Sequence, residues 1–153
     1  MLRFIKYDKL IVVRNEEPGA WKVDFFADGD GSRPVQDWLD DLSEEVRGKV
    51  IARIDLLKKG GPTLDFPYTS QIEGKLREAR LRMGKTRYRV LYFFDENRTA
   101  VLLHGFTKNT ASVEEADKRI GRARMVRHEA RLEAKKLAKA GKTDRTKAKG
   151  KVK

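Results

Sequence analysis

The stretch LREARLRMGKTRYRVLYFF, from Leu76 to Phe94, constrains this chain more than any other. Its two halves, Leu76–Met83 and Thr86–Phe94, read as strands, and Gly84-Lys85 between them is short enough for a two-residue hairpin turn. Yet Arg77, Arg80, Arg82, Lys85, Arg87 and Arg89 crowd into thirteen residues of it. A two-residue turn pairs Arg82 with Arg87, Leu81 with Tyr88 and Arg80 with Arg89. Like charges directly opposed across a ladder destabilise it by up to about 1 kcal/mol per pair. A sheet that keeps them either leaves them solvated, with Glu78, Asp95 and Glu96 as partners, or uses them to hold an anion.

Thr99–Lys108 reads as a third strand of the same meander, joined through Glu96-Asn97. Centring that turn on the dipeptide sets His104 opposite Arg89 and Phe106 opposite Arg87. The expected rows on one face are therefore Arg80–Arg89–His104 and Arg82–Arg87–Phe106. The opposite face, Ala79–Val90–Leu103 and Leu81–Tyr88–Gly105, is left to pack on helices. The face assignment depends on register, because a slip of one residue turns a strand over.

Guanidinium forks match phosphate oxygens bidentately and stack on bases, so the arginine rows suit a strand of RNA. RNA brings its own nucleophile, the 2′-OH, and clustered Arg and Lys stabilise the charge that builds on phosphorus without a metal. Arginine titrates too high to act as an ordinary base. Proton movement then falls to His104, Lys108, Glu78 or a tyrosine. Arg77, Arg82, Lys85, Arg87 and Phe106 are candidate RNA contacts. With two histidines and no spaced cluster of His and carboxylates, no metal site and no cofactor are expected.

Upstream, GAWKVDFFAD (19–28) alternates as a strand, and DGDGSRP ends it as a plain turn. Ser32 and Pro34 open a short helix carrying Val35, Trp38, Leu39 and Leu42. Ser43 caps a second, striped by Val46, Val50, Ile54 and Leu57 and ended by Gly60-Gly61-Pro62. The segment PTLDFPYTSQIEGK reads as a loop. The acids Asp37, Asp40, Asp41, Glu44 and Glu45 on the helices read as a solvated face or as a surface for a basic partner. From Ser112 a long helix begins, whose apolar positions thin out past Ala130.

The net charge of +12 is unevenly spread. Residues 117–153 hold 15 Lys and Arg against four Asp and Glu, while residues 75–108 hold nine against three. Both regions could meet polyanions. No apolar run approaches the roughly 18 residues of a membrane span, so no membrane contact is expected. The absence of cysteine and of a convincing signal peptide fits a cytoplasmic protein.

PVQDWLDDLSEEVRGKVIARIDLL, the arginine hairpin and VLLHGFTKNT before a charged helix, in that order, resemble the RelE/ParE toxin superfamily, closest to its phage-derived HigB-like branch. The likeness spans about Trp21 to Ala130. It implies an α+β fold, with an N-terminal strand and helical hairpin packed on a twisted antiparallel sheet and a long basic C-terminal helix. The expected organisation is a toxin domain over 1–116 (its first ~18 residues an extension), a basic helix over 117–140 and a disordered Lys-rich tail over 141–153.

The resemblance further implies a type II toxin that cleaves mRNA, usually on the ribosome, and a cognate antitoxin, often a helix-turn-helix DNA-binding protein. The family's catalytic cations fall on Arg80, Arg89 and Lys108. Glu78 stands where some members carry another lysine, and the family's late tyrosine has no match, which leaves His104 as its substitute. A gyrase-poisoning toxin of the same fold and a non-catalytic RNA- or ribosome-binding protein are the alternatives.

Overall fold

A computed structural model of the chain describes residues 21–109 and 113–151, with side chains as far as Gly141. The expected N-terminal extension lies outside the described residues. Strand β1 (Lys22–Phe25) leads to helices α1 (Pro34–Asp41) and α2 (Glu44–Gly60). A single 3₁₀ turn (Gly61–Thr63) precedes strands β2 (Thr69–Glu73), β3 (Leu76–Met83), β4 (Thr86–Phe94) and β5 (Thr99–Lys108). Helix α3 (Glu115–Lys151) follows them. The strands form one sheet in the order β1-β5-β4-β3-β2, antiparallel except where β1 joins β5 in parallel. The fold is the expected α+β, RelE-like architecture, with β2 added where the sequence reads as loop.

The sheet carries a core on each face. On one, Val35 and Leu39 of α1 and Val50, Ile54 and Leu57 of α2 meet Ala79, Val90, Tyr92 and Leu102. Each buried Val, Leu or Ile among them contributes about 1.5–3 kcal/mol. Ser43 caps α2 by accepting from Val46 N–H at 3.3 Å, so the two helices turn sharply into a hairpin. Gly105 of β5 is required by this packing, since a Cβ there would lie 2.3 Å from the Trp38 ring of α1.

On the other face, Leu76, Leu91, Phe93, Leu103 and Phe106 pack with Phe26 and receive Met125 from α3. Polar contacts strap α3 along this face: His104 to Asp117 at 2.8 Å, Arg124 to the Leu103 carbonyl at 2.8 Å and His128 to Asp95 at 3.1 Å. Arg131 donates to the Ala27 carbonyl, and Lys136 pairs with Glu96 at 2.6 Å. Among the described residues no helix is long and apolar enough to cross a membrane.

The β3–β4 register is the expected one, with Arg80 opposite Arg89 and Arg82 opposite Arg87. The β4–β5 register is not. Asp95 N–H donates to the Thr99 carbonyl, which makes the loop three residues, and Arg98 takes the left-handed conformation at φ 57°. A bulge at Leu103 adds one more residue of offset, since Leu91 pairs with His104 but Tyr92 with Leu102. The observed rows are therefore Arg80–Arg89–Phe106 and Arg82–Arg87–Lys108, and His104 stands opposite Leu91 instead of Arg89. An offset of two residues keeps the face and changes the row.

Candidate functional site

Helix α3 covers the Leu91 end of its face and leaves the arginine end open. There a cleft of about 350 Å³ is lined by Arg53 of α2, by Arg80 and Arg82 of β3 and by Arg87 and Arg89 of β4. Phe66, Pro67 and Tyr68, from the loop before β2, form its rim with Leu81. No carboxylate is among the lining residues. The Arg80 guanidinium sits over the Phe66 ring at 4.7 Å, and that of Arg53 over Tyr68 at 4.6 Å.

Glu78, one step along β3, sits behind the cleft and is 5% exposed. Its Oε2 is 3.4 Å from Arg89 Nε and its Oε1 3.5 Å from Arg80 Nε, while Oε1 also accepts from Ser70 Oγ at 2.8 Å. Two opposed cations thus share one buried anion, which offsets the cross-strand repulsion. The pairing is coulombic, because Arg80 Nε, Arg89 Nε and Glu78 Oε2 make no hydrogen bond. Arg89 itself is only 2% exposed and donates to the Leu81 and Tyr88 carbonyls at 3.3 and 3.2 Å. Burial pulls its guanidinium below the ordinary arginine range, with Glu78 acting in the opposite sense. Arg89 is therefore the floor of the cleft, and Arg80, Arg82 and Arg87 are its reachable walls.

The remaining expected residues are scattered. Arg77 lies on the opposite face by strand alternation, with its Nε 3.4 Å from the Tyr92 hydroxyl. Lys85 is exposed at the β3–β4 turn. Lys108 follows Phe106 on β5 and faces Arg87, with its ammonium 5.6 Å from the Phe106 ring. Phe106, 9% exposed and stacked on His104 at 5.3 Å, belongs to the core under α3. His104 is turned to Asp117 and does not line the cleft. Burial pulls its imidazole below the usual histidine range, against the pull of Asp117. Among the described residues no group of three His, Asp or Glu is arranged to hold a metal ion.

Sequence reading missed Arg53, Phe66 and Tyr68. The signal present was an aromatic-Pro-aromatic run just upstream of the arginine hairpin, but nothing local shows that its rings face outward.

The chain is a RelE-like α+β protein with a cationic cleft whose floor is neutralised from behind. The family described as "Phage derived protein Gp49-like (DUF891)" matches residues 37–126, and the chain belongs to that family. It is also 34% identical over 76 residues to "Putative toxin HigB3" of Mycobacterium tuberculosis, a stretch covering 48% of this chain and 67% of that protein. The chain is thus a HigB-like toxin of the toxin–antitoxin class.

Proposed function

We propose that this toxin is a metal-independent endoribonuclease that cuts mRNA on the ribosome and so inhibits translation. The observation that carries the reading is the cleft itself, with five guanidiniums around one small volume and no carboxylate in its lining. In the proposed reaction the ribose 2′-oxygen attacks the adjacent phosphorus and the bond from phosphorus to O5′ breaks. A 2′,3′-cyclic phosphate and a 5′-hydroxyl result. Arg80, Arg82 and Arg87 hold the phosphate oxygens as charge accumulates on them, and Arg89 adds its field from the floor. The 2′-OH gives up one proton and the leaving O5′ takes one. Tyr68 on the rim and Lys108 across from Arg87 are the proton-moving groups on this face.

A partner antitoxin follows from the class, and in this proposal it is a helix-turn-helix protein that keeps the cleft from RNA. One observation favours a second reading, a non-catalytic RNA-binding protein: Glu78 already occupies the inner sides of Arg80 and Arg89. Induced expression of the wild type beside Arg80→Ala, with mapping of mRNA 5′ ends, separates the readings. Growth arrest with cuts inside codons, lost in the variant, supports the nuclease. Arrest with DNA breaks and induced repair points to gyrase, and absence of arrest to simple binding.

A further inference from the structure

Phe66 is 69% exposed and Tyr68 43%, and they are the exposed aromatic side chains among the described residues. The other large exposed apolar groups (Ile120, Val126, Leu137) all lie on α3. The loop that carries the two rings is firmly held. Asp65 Oδ1 accepts from Phe66 N–H at 2.8 Å, and the Asp65 carbonyl accepts from Tyr68 and Thr69 N–H at 3.0 and 3.2 Å. Thr69 Oγ1 donates to the Leu64 carbonyl at 2.6 Å. Pro67 fixes one φ between the two rings. A loop this well anchored could bury its rings but turns them outward, each covered on one side by an arginine.

Resting on the RNA reading above, we propose that Phe66 and Tyr68 are a base-stacking platform, so that the cleft takes an unpaired nucleotide. Its base lies on the free face of Phe66 and its phosphate among Arg80, Arg82 and Arg87. Every base has a π-face, so such a platform is tolerant of sequence. It is not tolerant of pairing, because bases within a duplex are already stacked on one another. The charge of the lining favours a nucleic acid over an apolar peptide, and the rings distinguish it from a bare phosphate site. Arg80 links the two halves, since one guanidinium both covers Phe66 and borders the anion site.

The test uses fluorescence anisotropy of the full chain with a labelled single-stranded oligonucleotide whose riboses are 2′-O-methylated, so that no attacking hydroxyl exists. The same sequence as a duplex and a poly-glutamate peptide serve as competing probes. Phe66→Ala should weaken single-strand binding about fivefold or more, Phe66→Trp should retain it, and duplex binding should change little. Arg82→Ala should weaken both nucleic acids. Single-strand binding that survives Phe66→Ala but not Arg82→Ala overturns the platform and leaves the nuclease reading standing. A wild type that ignores the single strand overturns both. Loss of poly-glutamate binding alone in Phe66→Ala makes the loop a protein-docking surface and overturns the platform.

Discussion

Glu78 Oε2 lies 3.4 Å from Arg89 Nε, and both side chains are almost wholly buried beneath the cleft. Removing one member of such a pair leaves an uncompensated charge, at a cost of about 3–5 kcal/mol. Glu78→Ala should therefore lower the urea midpoint strongly. The double change Glu78→Leu with Arg89→Met should recover part of that loss, because the buried pair is then apolar and only Arg80, whose side chain is 24% exposed, must turn to solvent for its charge. Equal midpoints for wild type and Glu78→Ala would show that the pair contributes nothing.

His104 gives a pH dependence of defined sign. Its folded-state pKa is lowered by burial, so the folded protein resists the proton that the unfolded chain accepts near its ordinary value of about 6.5. The associated stability is present above that pH and is lost as pH falls through the lower folded-state value. Thermal melts of the wild type and His104→Asn across about pH 4.5–8 should show the two curves converging on the acid side. A gap that widens on acidification contradicts the assignment.

Two glycines, similar on paper, should respond differently to alanine. At Gly105 the new Cβ meets the rigid Trp38 ring at 2.3 Å, and overpacking of this kind costs about 1–3 kcal/mol. At Gly121 it meets the flexible Leu91 Cδ1 at 2.9 Å, and alanine gains up to about 1 kcal/mol in a helix interior. Denaturant titration should find Gly105→Ala clearly destabilised and Gly121→Ala near wild type.

How far the sequence could be read differs strand by strand. The β3–β4 register was legible because Gly84-Lys85 permits one tight turn and fixes every partner beyond it. The β4–β5 register was not, because neither a left-handed Arg98 nor the extra residue at Leu103 has a strong local signature. Those two irregularities took His104 out of the arginine row and put Phe106 in its place. Strand β2 was missed because TSQIE is polar and sits at an edge, where half its groups face solvent. The rim was missed for a different reason: aromatic residues in a loop usually tuck inward, and only the tertiary fold shows that Phe66 does not.

The basic C-terminal residues offer a test of the long-range electrostatics. Residues 141–153 hold six Lys and Arg against one Asp. If they tether the toxin to ribosomal RNA, deleting them should flatten the salt dependence of RNA binding, by about 0.7 in log–log slope for each phosphate they neutralise. The strap from Lys136 to Glu96 is retained, so the fold should melt as before. An unchanged slope would rule the tether out.

The most direct test is the single-turnover rate of mRNA cleavage on purified ribosomes by the wild type and Arg80→Ala. Arg80 borders the cleft and is partly exposed, so its removal leaves Glu78 paired with Arg89 and the fold intact. Without one transition-state charge donor, cutting should slow by about 100-fold or more. Cleavage by the variant at the wild-type rate, or none by the wild type, contradicts the account.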